Sequence, residues 1–81
     1  MDLVPVTEFL VKSVVKDTDM VSVKQYDDED LITIDVLVAS DDMPSLIGKQ
    51  GSVASAIRTM VIAASFKEET RKKIKINFDS F

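Results

Sequence analysis

Cysteine and histidine are absent from the 81 residues, and glycine occurs only twice. The first two absences exclude disulfide scaffolds, thiolate and imidazole metal sites, thiol nucleophiles and every histidine-based acid–base arrangement. Carboxylates remain, and an acid–base pair or a Mg²⁺ site can be built from them alone. Most are scattered or lie in the run Asp27-Asp28-Glu29-Asp30 between two strand-like segments. That run has no glycine or apolar ligand-loop pattern around it and reads as a solvated turn rather than a metal loop. The P-loop spacing G-x-x-x-x-G-K-[ST] is missing, so no enzyme is expected. No apolar run approaches the ~20 residues of a membrane span. The start MDLVPVTEF has neither a basic region nor a signal-like core, and a soluble, cytoplasmic protein is expected.

What is present reads as one small domain over residues 1–81, of a size that buries only about 60% of its unfolded surface on folding. Pro5 suits a first helical turn, and Val6, Phe9, Leu10 and Val14 recur at spacings of three and four. This predicts a helix over about Val4 to Lys16, with Thr7, Glu8, Lys12 and Lys16 largely off its apolar face. Met20 to Tyr26 and Leu31 to Ala39 alternate, the second with Ile32, Ile34, Val36 and Val38 on one face, and read as two strands around an acidic tip. Asp41 or Asp42 can cap a short helix with Pro44 in its first turn. Ser52 to Ser65 predicts a longer helix whose stripe is Val53, Ile57, Met60, Val61 and Ala64, and Ile74, Ile76 and Phe78 mark a third strand. The order is α-β-β-α-α-β, a two-layer α+β fold with the helices on the dry face of a three-stranded sheet.

Both glycines fall in one tetrapeptide, Gly48-Lys49-Gln50-Gly51, between the short helix and the long one. Glycine is kept where the backbone needs positive φ or a close approach. A loop with glycine at each end can lie flat against a sugar-phosphate backbone, while the helix after it offers free N–H groups and a partial positive charge. Lys49 adds a mobile cation and Gln50 an amide that both donates and accepts. The other reading is a helix C-cap and a tight turn between packed helices.

At these residues the sequence resembles a KH domain, whose GXXG loop clamps about four nucleotides of single-stranded RNA or DNA. The run LIGKQGSVASAIRTMVIAA is similar to the small bacterial single-KH proteins of the KhpA type, over nearly the whole chain. The resemblance implies the type II, prokaryotic-style KH fold and a groove between the helix–loop–helix unit and a sheet edge. It implies Leu46 and Ile47 in the apolar floor, Gly48, Lys49, Gln50 and Gly51 as the clamp, and Ser52, Ser55 and Arg58 as further contacts. It also implies an RNA chaperone or post-transcriptional regulator without cofactors, pairing with itself or with a KhpB-like KH protein. Ile62 and Val53 are interface candidates, or else scattered surface hydrophobes. Arg58 reads more readily as a plain solvent-facing residue than as a contact.

Charge is divided along the chain. Residues 1–42 carry 11 acids and 3 bases, a net of −8, and residues 43–81 carry 3 acids and 7 bases, a net of +4. If the loop and the basic last strand share a face, local potential rather than the total of −4 decides binding. Arg71, Lys72, Lys73 and Lys75 are then the opposite wall of the groove, or else they keep an edge strand unpaired. The chain departs from the resemblance after the loop, where Ser52, Val53 and Ser55 stand in place of basic residues. None of its aromatics, Phe9, Tyr26, Phe66, Phe78 and Phe81, lies in the groove segment, so stacking platforms there are scarce. These features fit weak RNA binding, or a KH-fold adaptor with little RNA affinity that acts through a partner.

Overall fold

The computed structural model describes residues 2–65 and 72–81. Its main elements are α1 (Val4–Lys12), β1 (Ser22–Asp27), β2 (Leu31–Val38), α2 (Met43–Ile47), α3 (Ser52–Ser65) and β3 (Lys73–Ser80). Short 3-10 turns occupy Thr18–Met20, Ser40–Asp42 and Lys49–Gly51. The order is the α-β-β-α-α-β expected from the sequence, with the helices packed on one face of a mixed sheet, as in type II KH domains.

β2 is the central strand. It pairs antiparallel with β1, Lys24 facing Asp35, and parallel with β3, Ile34 facing Ile76. The antiparallel pair needs only the acidic turn, which Asp28 closes by donating its N–H to the Leu31 carbonyl at 2.8 Å. A parallel pair needs a crossover, and α2, the glycine loop and α3 lie within it. Alternation in β2 is complete: Ile32, Ile34, Val36 and Val38 are buried while their neighbours are half-exposed. Ile76 continues that buried row on β3. β-branched side chains suit such positions, being already restricted in χ1 and well packed on a pleated surface.

α1 differs from expectation in length and in the face it buries. The helix stops at Lys12. Ser13 turns its hydroxyl back to the Phe9 carbonyl at 2.7 Å, and Val14 donates to Val11 in a tightened turn at 3.1 Å. The next two free amides, of Lys16 and Asp17, are each bound at 3.0 Å by the two carboxylate oxygens of Asp42. A distant carboxylate thus ends the helix. Asp42 does precede α2, but its side chain makes no cap bond there.

The buried face of α1 is Leu3, Thr7, Val11 and Val15, not one centred on Phe9. Thr7 is wholly buried because its hydroxyl donates to the Leu3 carbonyl at 2.8 Å, which leaves its methyl group to pack. Phe9 is 70% exposed, while Val6, Leu10 and Val14 lie at the core margin. On α3 the buried row is Ala54, Ile57, Val61 and Ser65, with Val53 packed at its edge. Met60, expected in that row, is 51% exposed.

Candidate nucleic-acid interface

The loop between α2 and α3 is built from unusual backbone. Gly48 has φ 74° and ψ −178°, a region essentially confined to glycine, and Gly51 has φ 78°. Gln50 between them sits in the left-handed region at φ 56°, ψ 30°, which a side-chain-bearing residue occupies at a cost of about 1–2 kcal/mol. The amide of Gly48 donates to the Pro44 carbonyl at 2.9 Å and that of Gly51 to the Gly48 carbonyl at 3.3 Å. Ser52 donates to Lys49. The amides of Lys49 and Gln50 donate to no other described residue.

The two glycines are required for different reasons. A Cβ on Gly48 would fall on the Cγ2 methyl of Val53 and within 2.9 Å of that residue's Cβ and amide nitrogen. A Cβ on Gly51 would meet nothing within 4 Å. Gly48 therefore serves helix packing, as the turn reading requires, whereas Gly51 needs only its backbone angle and borders open space.

The remaining predicted residues are placed as follows. Leu46 is 0% exposed and belongs to the core, so it supports the loop from beneath and offers no surface to a groove. Ile47 is half-exposed, and Lys49, Gln50, Ser52, Ser55 and Arg58 are exposed. Ser55 and Arg58 stand three residues apart on one flank of α3, with Ile62 next on the same flank. Neither Lys49 nor Arg58 makes an ion pair or hydrogen bond through its side chain among the described residues.

Lys73 and Lys75 are not brought beside the loop. The inward residue between them is Ile74 and the buried one after them is Ile76, so both lysines project from the side of the sheet that the helices leave uncovered. Lys73 pairs with Leu31, at the opposite end of β2 from Val38, where the chain leaves for the helices. Its amide is bonded to the Asp30 carbonyl at 3.1 Å, beside the acidic turn. Strand alternation could give their face but not their distance from the loop. Arg71 and Phe66 lie outside the described residues.

One feature escaped sequence reading: Val53 reads from the sequence as a residue of the α3 stripe or as a surface hydrophobe, not as the side chain that leaves no room for a Cβ at Gly48. Among the described residues no group of three or more Asp and Glu side chains could hold a metal ion, and no helix is long and apolar enough to cross a membrane.

Residues 6–76 match the family described as KhpA/KhpB, KH domain. The chain belongs to that KhpA/KhpB family of KH domains. It is 42% identical over 69 residues to the RNA-binding protein KhpA of Clostridium acetobutylicum, covering 85% of this chain and 92% of the relative. Identity is also 42% over 67 residues to the protein of the same name from Caldanaerobacter subterraneus, covering 83% and 89%. It is 33% over 69 residues to that of Borreliella burgdorferi, covering 85% and 84%. The similarity to these KhpA proteins runs over most of both chains.

Proposed function

We propose that this chain binds single-stranded RNA, without catalysis, by laying the sugar-phosphate backbone across the Gly48–Gly51 loop. The observation that carries the reading is the pair of free amides at Lys49 and Gln50, on an exposed loop with open space beside Gly51. Free N–H groups ahead of a 14-residue helix favour an anion. Lys49, with no carboxylate partner among the described residues, supplies the cation. Its relatives' name, RNA-binding protein KhpA, supports the same ligand class. Ile47, Ser52, Ser55 and Arg58 are the flanking contacts, and the role is that of a KhpA-like RNA chaperone or post-transcriptional regulator. Single-stranded DNA presents the same phosphates.

One observation favours a second reading, an adaptor acting through a KhpB-like partner or a second copy. Lys49 is the only cation of the loop, and the next on α3 is Arg58, almost two turns on. A weak site of about four nucleotides gains affinity from a linked second site.

Titration of a short fluorescent single-stranded RNA, at low and physiological salt, separates the readings. The native chain is compared with Lys49→Asp plus Gln50→Asp, which sets two carboxylates at the phosphate seat. RNA binding by the native chain and its loss in the folded double variant is the expected result. Unchanged binding in the variant rejects the loop, and no binding by the native chain at low salt favours the adaptor.

A further inference from the structure

No described element covers the outer face of the sheet, and its composition is not that of a plain solvated surface. Register sets Tyr26, Thr33 and Lys75 in one cross-strand row, Lys24, Asp35 and Asn77 in the next, and Ser22, Leu37 and Asp79 in the third. Across these rows lies a hollow of about 400 Å³ whose lining includes Lys24, Tyr26, Asp35, Leu37, Asn77 and Asp79. Tyr26 is 52% exposed at its edge. Asn77 donates to one oxygen of Asp35 at 3.0 Å. Lys24, Lys73 and Lys75 have no ion pair or hydrogen bond through their side chains among the described residues.

Charge is graded along this face. Lys73 and Lys75 stand at the β2 start, whereas Asp35 and Asp79 stand toward its end. A solvated edge accounts for the lysines, but it does not account for an exposed tyrosine beside an acceptor-lined hollow. Lys75 and Asn77, two residues apart on one face, are separated by about 7 Å, which suits a nucleotide with its phosphate at one end and its base at the other. Aromatic rings on open sheets stack single-stranded bases, and carboxylates accept from the exocyclic amino group of cytosine. The acidic turn beside Lys73 lowers the local positive potential, so the contact adds to a loop-bound strand rather than capturing one alone.

We propose that this uncovered sheet face is a second contact for single-stranded RNA. In it a base carrying an exocyclic amino group lies in the hollow against the Tyr26 ring, and Lys75 and Lys73 hold the adjoining phosphates. The inference rests on the RNA-binding reading of the loop and extends the strand beyond it.

Tyr26 is the one tyrosine and there is no tryptophan, so intrinsic tyrosine emission reports this site alone. The chain is titrated with oligocytidylate and oligouridylate of about 12 nucleotides and with a tetranucleotide, a range covering known single-strand site sizes. Emission is corrected for RNA absorbance, and binding is followed in parallel by anisotropy of a labelled RNA. Expected results are quenching by the longer oligocytidylate, less by oligouridylate, and a loss of about fivefold or more in Tyr26→Leu for the longer RNA but not for the tetranucleotide. Asp35→Asn, which retains an acceptor for Asn77 and adds a donor, is expected to abolish the preference for cytosine. Lys73→Glu plus Lys75→Glu weakens the longer RNA. RNA saturation by anisotropy with Tyr26 emission unmoved overturns the sheet-face contact and leaves the loop standing. Absence of any RNA binding overturns both. Tyr26 emission that moves with a second KH protein and not with RNA makes the face a protein contact and overturns the proposal.

Discussion

Gly48 and Val53 touch so closely that the backbone of one is moulded on the side chain of the other, with no room for a Cβ between them. That contact packs the first turn of α3 directly against the loop backbone. It also separates the two glycines energetically, although in sequence they look alike.

Gly48→Ala meets both a clash and a glycine-only backbone region, and is expected to cost about 2–4 kcal/mol. Gly51→Ala meets only the backbone penalty, about 1–2 kcal/mol. Urea unfolding midpoints of the two variants check the order, and Val53→Ala added to Gly48→Ala should recover part of the loss. Equal effects at the two positions would show that Val53 does not set the loop.

Gln50 is the one non-glycine residue of the loop at positive φ. Gln50→Gly removes that strain at the expense of a more flexible unfolded chain, so stability should rise slightly or stay within about 1 kcal/mol. Gln50→Val should lose about 1–2 kcal/mol, because a β-branched residue tolerates the left-handed region poorly. Thermal denaturation of the pair provides the comparison.

With Lys49 and Arg58 as the cations nearest the loop, few counterions should be released when a tetranucleotide, too short to reach the sheet face, binds by the proposed loop contact. The slope of log affinity against log salt is expected near −1.5, about −0.7 for each neutralised phosphate of a single strand. Lys49→Ala should make it shallower by about 0.7. A native slope of −4 or steeper would require a basic surface the loop does not have.

Asp42 joins the end of α1 to the start of α2. The backbone amides of Lys16 and then Asp17, opposed by burial and aided by the Lys16 charge, hold its carboxyl below the usual carboxylate range. The folded state therefore binds this proton less readily than the unfolded chain. Its stabilisation is fully present above the unfolded value of about 4. It is lost as pH falls from there through the lower folded value. Asp42→Asn should lower the melting temperature at pH 7 and flatten the acid side of the melting-temperature profile. A profile parallel to that of the native chain would remove Asp42 from this role.

Phe9→Ser should change stability by less than about 0.5 kcal/mol, as at other exposed positions, whereas a core phenylalanine would cost about 3–5 kcal/mol. Val11→Ala, at a wholly buried position, should cost at least 1 kcal/mol. Chemical denaturation of the two variants tests the assignment of the α1 face.

The three strands were legible because alternation of β-branched and polar residues has one solution on a sheet with one dry side. The loop was legible because both glycines fall within it. The face of α1 was not, because residue type ranks Phe9 above Thr7 as a core residue, while a local hydroxyl bond to Leu3 reverses the order. The end of α1 was hidden for another reason: the carboxylate that arrests it is 25 and 26 residues away from the amides it binds. Alternation gave Lys73 and Lys75 an outward face, yet only parallel register with β2 shows that they stand at the far end of the sheet from the exit toward α2.

That parallel register has a bearing on how the chain assembles. β1 and β2 are joined by a short turn, whereas pairing β3 with β2 must close a far longer loop that contains α2 and α3, so the β2–β3 ladder carries the larger entropy cost of closure. A polynucleotide bound at the bend within this bridge would stabilise the native chain by mass action, and so favour closure of that costly ladder.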